Sequence, residues 1–320
     1  MIATTLTRMF GLRHPIVLAP MGAVSGGALA AAVSNAGGLG LVGGGYGDAV
    51  WLKNELALVQ AQTPHPWGVG FITWSVHRPV VDLALEHRPD AVMLSFGDPA
   101  PYAGAIRQSG AKLICQVQDL DGARRAMDVG ADVIVAQGTE GGGHGGHRAT
   151  LPFVPAVADL VSPTPVVAAG GIADGRGLAA ALMLGAQGAL LGTRFYASKE
   201  ALGRDEAKRR IVGAGGEETA RTRIFDVVRR LSWPHEFPGR AVRNAFFDRW
   251  HGREDELDRA SAVHAAYREA TTRGDFDTAM VWAGEAVDLI REVEAAGVLV
   301  ERIGAEAAAA LRRGASLDRC

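Results

Sequence analysis

Residues 164–194 read TPVVAAGGIADGRGLAAALMLGAQGALLGTR, and this stretch carries the clearest fold signal in the chain. An apolar run at Thr164–Ala168 is followed by a glycine pair, a helical Ala/Leu segment at Asp174–Leu184 and a second apolar run at Gly188–Leu191. A strand, a helix and a strand in this order are typical of a parallel βαβ unit. The stretch therefore predicts an α/β protein in which strands alternate with helices.

The same pattern recurs along most of the chain. Eight strands are predicted, at residues 15–19, 39–42, 67–72, 91–95, 112–116, 132–136, 164–168 and 188–191. Helices are predicted between them, at about residues 26–35, 48–61, 78–86, 99–109, 119–129, 152–160 and 174–184. Eight strands joined by right-handed crossovers can close into a barrel, whereas a doubly wound sheet usually has fewer strands and a different glycine fingerprint. We therefore predict a TIM (β/α)8 barrel.

The pattern changes after Gly192, where the chain becomes rich in Arg and Glu. We interpret residues 204–279 as a helical insertion, or lid, over the mouth of a barrel formed by residues 1–203 and 280–320. The eighth barrel helix is predicted at Gly284–Ala295, and a further Ala-rich helix at Val300–Arg313 ends the chain. The alternative is a peripheral cap with no part in the chemistry.

Composition excludes several classes of partner. The chain has 320 residues, of which 48% are hydrophobic and 21% charged, with a net charge of −2. These values are ordinary for a globular protein and predict neither a nucleic-acid nor a membrane partner. The only cysteines are Cys115 and Cys320. This scarcity argues against a disulfide framework and favours a cytoplasmic location. The oligomeric state stays open, a homodimer included.

Glycines follow the last two predicted strands. Gly170 and Gly171 come after the seventh strand, and Gly192 and Thr193 come after the eighth. Barrels commonly bind phosphate at these two loops, with backbone N–H groups and the start of a short helix. We expect a phosphate site here, although a plain tight turn at Gly170–Gly171 is the alternative.

A glycine-rich loop after the sixth predicted strand contains His144. Its backbone could pass flat against a planar ligand, and a histidine at the barrel mouth could act as an acid/base or position an anion. Metal binding by His144 and His147 would need a third ligand. Glu140 lies on the same loop without the spacing that directs ligands together, so we expect no metal.

Four segments together resemble the nitronate monooxygenase family, formerly called 2-nitropropane dioxygenase. They are Ala19-Pro20-Met21-Gly22, Glu140-Gly141-Gly142-Gly143-His144, Ala168-Ala169-Gly170-Gly171-Ile172 and Leu191-Gly192-Thr193-Arg194-Phe195. The resemblance implies an FMN-dependent barrel enzyme that oxidises alkyl nitronates, with dioxygen as second substrate, to a carbonyl compound and nitrite. It also implies that His144 is the catalytic histidine.

The resemblance assigns the cofactor residues as well. FMN would contact Ala19, Pro20, Met21, Gly22, Gly70, Gln116, Gly142, Gly143, Ala169, Gly170, Gly171, Gly192 and Thr193. Two positions depart from the family pattern. Gly70 stands where many members have an asparagine that meets the flavin, and Glu285 stands where a glutamine is common.

Two other functions remain open at this point. A flavin-dependent enoyl-acyl-carrier-protein reductase that uses NAD(P)H would share the barrel, the phosphate loops and the histidine loop. A flavin-binding paralogue without turnover of its own is the other alternative, although the intact His144 argues against it.

Overall fold

The computed structural model describes residues 2–317, and Cys320 lies outside them. Eight parallel strands form one sheet, and in their order around it they are Ile16–Leu18 (β1), Gly188–Leu191 (β9), Val166–Ala169 (β8), Val133–Gln137 (β6), Lys112–Val117 (β5), Ala91–Ser95 (β4), Trp67–Ile72 (β3) and Gly40–Gly45 (β2). The sheet closes on itself, because Val17 of β1 bridges Leu39 at the start of β2. The predicted TIM barrel is therefore confirmed.

The strands are β1 (Ile16–Leu18), β2 (Gly40–Gly45), β3 (Trp67–Ile72), β4 (Ala91–Ser95), β5 (Lys112–Val117), β6 (Val133–Gln137), β7 (Gly143–His144), β8 (Val166–Ala169), β9 (Gly188–Leu191), β10 (Thr219–Thr222) and β11 (Gly239–Val242). The α-helices are α1 (Thr5–Phe10), α2 (Gly27–Asn35), α3 (Ala49–Gln62), α4 (Arg78–Glu86), α5 (Ala100–Ser109), α6 (Leu120–Asp128), α7 (Thr150–Val161), α8 (Gly175–Met183), α9 (Thr193–Tyr196), α10 (Asp205–Gly213), α11 (Ile224–Arg229), α12 (Ala245–Trp250), α13 (Glu254–Arg259), α14 (Ser261–Arg273) and α15 (Ala296–Ser316). Residues Gly216–Glu218 and Glu285–Leu289 form short 3₁₀ helices.

Alternating side chains of the strands build two cores. Val17, Met93 and Ile114 belong to the cluster inside the barrel, which Leu6 and Phe10 of α1 join. Neighbouring strand residues face outward and pack against the helices. This alternation is what a closed sheet surrounded by helices requires.

The eight predicted barrel strands are confirmed, with ends that shift by up to three residues. Three helix-to-strand joints have the sequence Gly-Ala, at residues 110–111, 130–131 and 185–186, which predicts a left-handed glycine just past each helix. This prediction is confirmed, since Gly110, Gly130 and Gly185 have φ angles of 85°, 72° and 97°. Helix α1 was not predicted, because its six residues are too few to show a helical period.

The predicted eighth helix is wrong in position. Residues Glu285–Leu289 form only a 3₁₀ turn, and α15 packs between α8 and α2 as the eighth barrel helix. Tertiary hydrogen bonds override the helical pattern here. The Glu285 amide donates to the Glu140 carbonyl at 2.9 Å, and the Glu294 carbonyl accepts from the Lys199 amide at 2.9 Å.

Residues 204–279 contain helices α10 to α14 and also two strands, β10 and β11. These strands form a three-stranded sheet with β7, which lies in the loop after β6. The segment is therefore joined directly to the loop that contains His144.

Within residues 2–317, no helix is long and apolar enough to cross a membrane.

Because α15 packs closely on α8, adding one methyl group at Gly175 should destabilise the protein. A Cβ atom on Gly175 would lie 2.2 Å from Cβ of Glu306 and 2.4 Å from the Ala307 amide nitrogen. We expect Gly175→Ala to destabilise the protein by about 1 to 3 kcal/mol, the usual cost of overpacking. Thermal unfolding measures the change.

The matched control is Gly314→Ala, also in a helix, where a Cβ atom would meet nothing within 4 Å. This variant should unfold at the wild-type temperature or slightly above it, because alanine favours helix. Equal melting temperatures for the two variants would contradict the proposed contact.

Candidate active site

The carboxyl ends of β1, β9 and β8 lie side by side. Leu18 pairs with Leu191, and Leu190 pairs with Ala169. The Ala19 amide donates to the Leu191 carbonyl at 2.9 Å, so the backbone segments after β1 and β9 begin side by side. The barrel thus brings three groups of predicted flavin residues to one rim: Ala19–Gly22, Ala169–Gly171 and Gly192–Thr193.

The loop after β1 is a tight turn that depends on a bare glycine in β3. Ser25 Oγ donates to the Ala19 carbonyl at 2.8 Å and accepts from the Met21 amide at 3.3 Å. A Cβ atom on Gly70 would lie 2.3 Å from Cγ of Pro20. The Pro20 ring therefore fills the space that a side chain at residue 70 would need, which accounts for the missing asparagine.

Two glycine turns at this rim expose backbone. Gly170 and Gly171 have left-handed φ angles of 100° and 72°. A Cβ atom on Gly192 would meet its nearest neighbours, on the β1 loop, only at 3.6 Å. Thr193 begins α9, and its hydroxyl accepts the Gly284 amide at 3.0 Å. Backbone of this kind can bind an anion through its amide N–H groups.

His144 is held by backbone pairing and by a buried carboxylate. With Gly143 it forms β7, where it pairs with Gly239 of β11. Its carbonyl accepts the side-chain amide of Gln137 at 2.9 Å. Imidazole Nε2 lies 3.0 and 2.9 Å from the two carboxylate oxygens of Asp226. His144 is 8% exposed and Asp226 2%, so the pair is shielded from water.

Aromatic rings enclose the imidazole on its other sides. The Trp233 ring stacks on His144 with 3.4 Å between centroids and 3° between planes. Phe96 and Trp282 approach the imidazole at centroid distances of 6.4 and 5.1 Å. Trp233 comes from the 204–279 segment, so this segment supplies both the carboxylate and the stacked ring.

Burial and charge together set the protonation of His144. Burial lowers the pKa of His144 more than the hydrogen bond and charge of Asp226 raise it, and Arg229 and Arg221 lower it further. The pKa therefore lies below its ordinary value, and the ring is neutral at neutral pH. Because an ionised carboxylate can only accept, Nε2 carries the proton and Nδ1 is the basic nitrogen.

A half-buried arginine fixes the glycine-rich loop. The Arg221 guanidinium donates to the carbonyls of Thr139 and Pro238 at 2.9 and 2.5 Å, and to those of Gly143 and Gly145 at 3.4 and 3.3 Å. Burial lowers the pKa of Arg221 to about 10, which leaves it cationic at neutral pH. The loop that the sequence suggests to be flexible is therefore tied down.

Three glutamines connect the ends of β5 and β6 to His144. Gln116 and Gln118 donate to Oε1 of Gln137 at 3.1 and 2.9 Å, and Gln137 in turn donates to the His144 carbonyl. Gln116, which the resemblance places at the flavin, is thus linked to the histidine loop through the side chain of Gln137.

Gly142, a predicted flavin residue, packs against residues 283–284, and Glu285 follows them in the chain. A Cβ atom on Gly142 would lie 2.6 Å from the Gly284 nitrogen, so this glycine allows the two backbone segments to come into contact. Glu285 forms an ion pair with Arg240 at 2.8 Å. The negative charge that replaces the family's glutamine is therefore balanced by a neighbour.

Metal coordination finds no support in the geometry. His147 is exposed, and the Glu140 carboxylate accepts from the Thr150 amide at 3.0 Å and its hydroxyl at 2.8 Å. Among residues 2–317, no group of three or more His, Cys, Asp or Glu side chains is arranged to hold a metal ion.

Sequence reasoning gave no role to Asp226, Trp233 or Arg221. One signal for Asp226 was available, since it is the single acidic residue in the apolar run Ile224–Val228. A carboxylate in such a run predicts burial, and a buried carboxylate needs a partner. Nothing in the pattern identifies His144 as that partner.

Comparison with known proteins agrees with this geometry. A family model described as nitronate monooxygenase matches residues 3–74 and 71–306. A nitronate monooxygenase from Neurospora crassa is 36% identical, and the match covers 92% of this chain and 89% of that protein.

Two solved structures are similar over nearly their whole length. FabK from Thermotoga maritima has a TM-score of 0.88 at 30% identity, with 99% of this chain and 100% of that chain covered. A nitroalkane oxidase from Streptomyces ansochromogenes has a TM-score of 0.83 at 30% identity, with coverages of 97% and 99%. Taken together with the barrel and its rim, these matches show that the chain belongs to the nitronate monooxygenase family of flavin-dependent oxidoreductases.

Proposed function

We propose that this chain uses FMN to oxidise alkyl nitronates with dioxygen, giving a carbonyl compound and nitrite. Family membership supports this reaction. The observation that carries the proposal is the buried, neutral His144, whose Nε2 is held by Asp226 at 2.9 Å beside the rim of glycine turns.

The residues at the rim fit FMN. Amides of Gly170, Gly171, Gly192 and Thr193 would bind the phosphate, and Ala169 ends the strand that presents the first two. The ring would lie against Ala19–Gly22 near Gly70 and Gln116, with Gly142 and Gly143 on the histidine loop. When bound, FMN supplies the redox chemistry that a nitronate and dioxygen require.

His144 would act on neutral nitroalkanes as the base. Nδ1 takes a proton from the carbon beside the nitro group, and the C–H electron pair remains in the nitronate that forms. Asp226 stabilises the resulting imidazolium and keeps the ring oriented, as a carboxylate does for other catalytic histidines. Trp233 covers the ring and excludes water from it.

We also propose that residues 204–279 act as a lid on a barrel formed by residues 1–203 and 280–320. The supporting observation is that this segment provides Asp226 and Trp233 to His144. A cytoplasmic location belongs to the same proposal, which leaves a homodimer open.

The phosphate assignment predicts a charge effect at Gly192. Gly192→Asp and Gly192→Asn add side chains of nearly equal size, and there is room for the Cβ atom. We expect the aspartate variant to bind FMN about tenfold or more weakly than the asparagine variant, because a like charge nearby costs over about 1 kcal/mol. Titration of apoprotein, followed by flavin fluorescence, measures the affinities.

Riboflavin, which lacks the phosphate, is the control ligand and should bind both variants alike. Equal FMN affinity in the two variants would place the phosphate elsewhere.

The pairing of His144 with Asp226 predicts a pH effect. His144→Ala and Asp226→Asn should both lower turnover of a neutral nitroalkane, by roughly 10²- to 10⁴-fold. Wild-type kcat/KM should rise with pH through a pKa below the ordinary histidine value of about 6.5, since only the neutral ring accepts a proton. Asp226→Asn removes an influence that raises this pKa, so its acidic limb should move to lower pH.

A preformed nitronate needs no base, so both variants should lose less activity with it. A wild-type pH profile in Asp226→Asn would show that Asp226 has only a structural role.

The second candidate is the NAD(P)H-dependent enoyl-acyl-carrier-protein reductase, which the likeness to FabK favours. The two functions predict opposite results for the flavin-loaded protein. We expect nitrite from ethyl nitronate in air, measured colorimetrically, and slow flavin bleaching by NADH without oxygen. Rapid anaerobic bleaching without nitrite formation would favour the reductase.

A further inference from the structure

A cavity opens next to His144, the proposed catalytic residue, at the carboxyl ends of β4 and β5. This space, here called the side cavity, has a volume of about 230 Å³, and its walls include Phe96, Cys115, Gly122 and Phe237. An apolar cavity of about 150 Å³ is already large enough to bind benzene. The side cavity therefore has room for a short hydrocarbon chain.

Phe96 forms the boundary between the side cavity and His144. Its ring lines the cavity and meets the imidazole edge-on at a centroid distance of 6.4 Å. The same ring packs against Trp233 at 5.1 Å and Phe237 at 5.4 Å. Phe96 is thus the side chain that separates His144 from the side cavity.

The backbone of Phe96 is strained. Its φ angle is 63°, in the left-handed region that non-glycine residues rarely adopt. Such a conformation is strained and tends to occur at ligand-binding positions. The strain holds an aromatic ring between His144 and the side cavity, which is where a specificity-determining residue would act.

The lining favours one kind of chain. Leu94, Cys115 and Ala126 form a buried apolar wall, and Gln116 and Gln118 add uncharged polar groups beside it. The exposed charged residues at the cavity are three acids and one base, namely Asp98, Asp119, Glu236 and Arg125. A terminal carboxylate would be repelled by the excess of negative charge there, whereas a neutral chain would meet no such repulsion.

We infer that the side cavity binds the chain attached to the nitronate carbon. The preferred substrates are nitronates with a neutral chain of several carbons, rather than very short ones or ones that end in a carboxylate. This inference rests on the proposed function and adds the substrate class to it.

Filling the side cavity from its far wall tests the inference. Gly122 lies at the start of α6, and a Cβ atom there would meet its nearest neighbours at 3.2 to 3.6 Å, so Gly122→Met needs only a small adjustment. We expect kcat/KM for hexyl nitronate to fall about tenfold or more, because a hydrophobic pocket distinguishes even one methylene by roughly 10- to 200-fold. The value for ethyl nitronate should stay close to wild type.

The matched control is Gly104→Met in α5, where a Cβ atom would meet nothing within 4 Å. It should leave the hexyl-to-ethyl ratio unchanged. Flavin content and melting temperature establish that each variant is folded.

A measurement on the wild-type protein needs no variant. Hexyl nitronate should have a higher kcat/KM than ethyl nitronate, and a higher one than a nitronate of hexyl length that ends in a carboxylate. If ethyl nitronate yields nitrite but neither chain length nor the carboxylate matters, the side cavity is not a substrate site. If no nitronate yields nitrite, the proposed function fails and this inference fails with it.

Discussion

The half-buried guanidinium of Arg221 organises the active centre. A cation inside a protein is stable only when nearly all of its N–H groups have partners. Here the partners are backbone carbonyls of the histidine loop, which turn inward around the side chain. The many glycines of the loop permit this, since side chains there would crowd one another. A segment that looks flexible in composition therefore becomes a rigid support for His144.

The barrel and the insertion contribute different things to this centre. The barrel brings the loops after β1, β8 and β9 to one rim through strand pairing, and it is held by two cores that side-chain alternation creates. The insertion contributes Arg221, Asp226 and Trp233, and its strand β11 pairs with the histidine itself. The chemistry proposed for His144 thus depends on contacts between parts of the chain that are distant in sequence.

That separation explains what the sequence could and could not predict. The eight strands and the Gly-Ala joints follow from local periodicity and from glycine conformation, so they were predictable. The pairing of His144 with Asp226 spans 82 residues, and no local pattern encodes it. The helix expected at Gly284–Ala295 is absent for a related reason, because this segment instead donates a hydrogen bond to the Glu140 carbonyl and accepts one from the Lys199 amide. Gly70 and Glu285 depart from the family pattern, and their neighbours account for both: Pro20 fills the space beside Gly70, and Arg240 balances the charge of Glu285.

The position of α15 has a consequence for biosynthesis. This helix is the last element of the described chain, yet it fills the gap between α8 and α2 in the ring around the barrel. When the ribosome has synthesised all the strands, it has not yet synthesised α15, which covers these two helices. Until α15 has been made and has docked, the nascent barrel carries an uncovered apolar seam. Chaperones that bind exposed hydrophobic surface would find their target there.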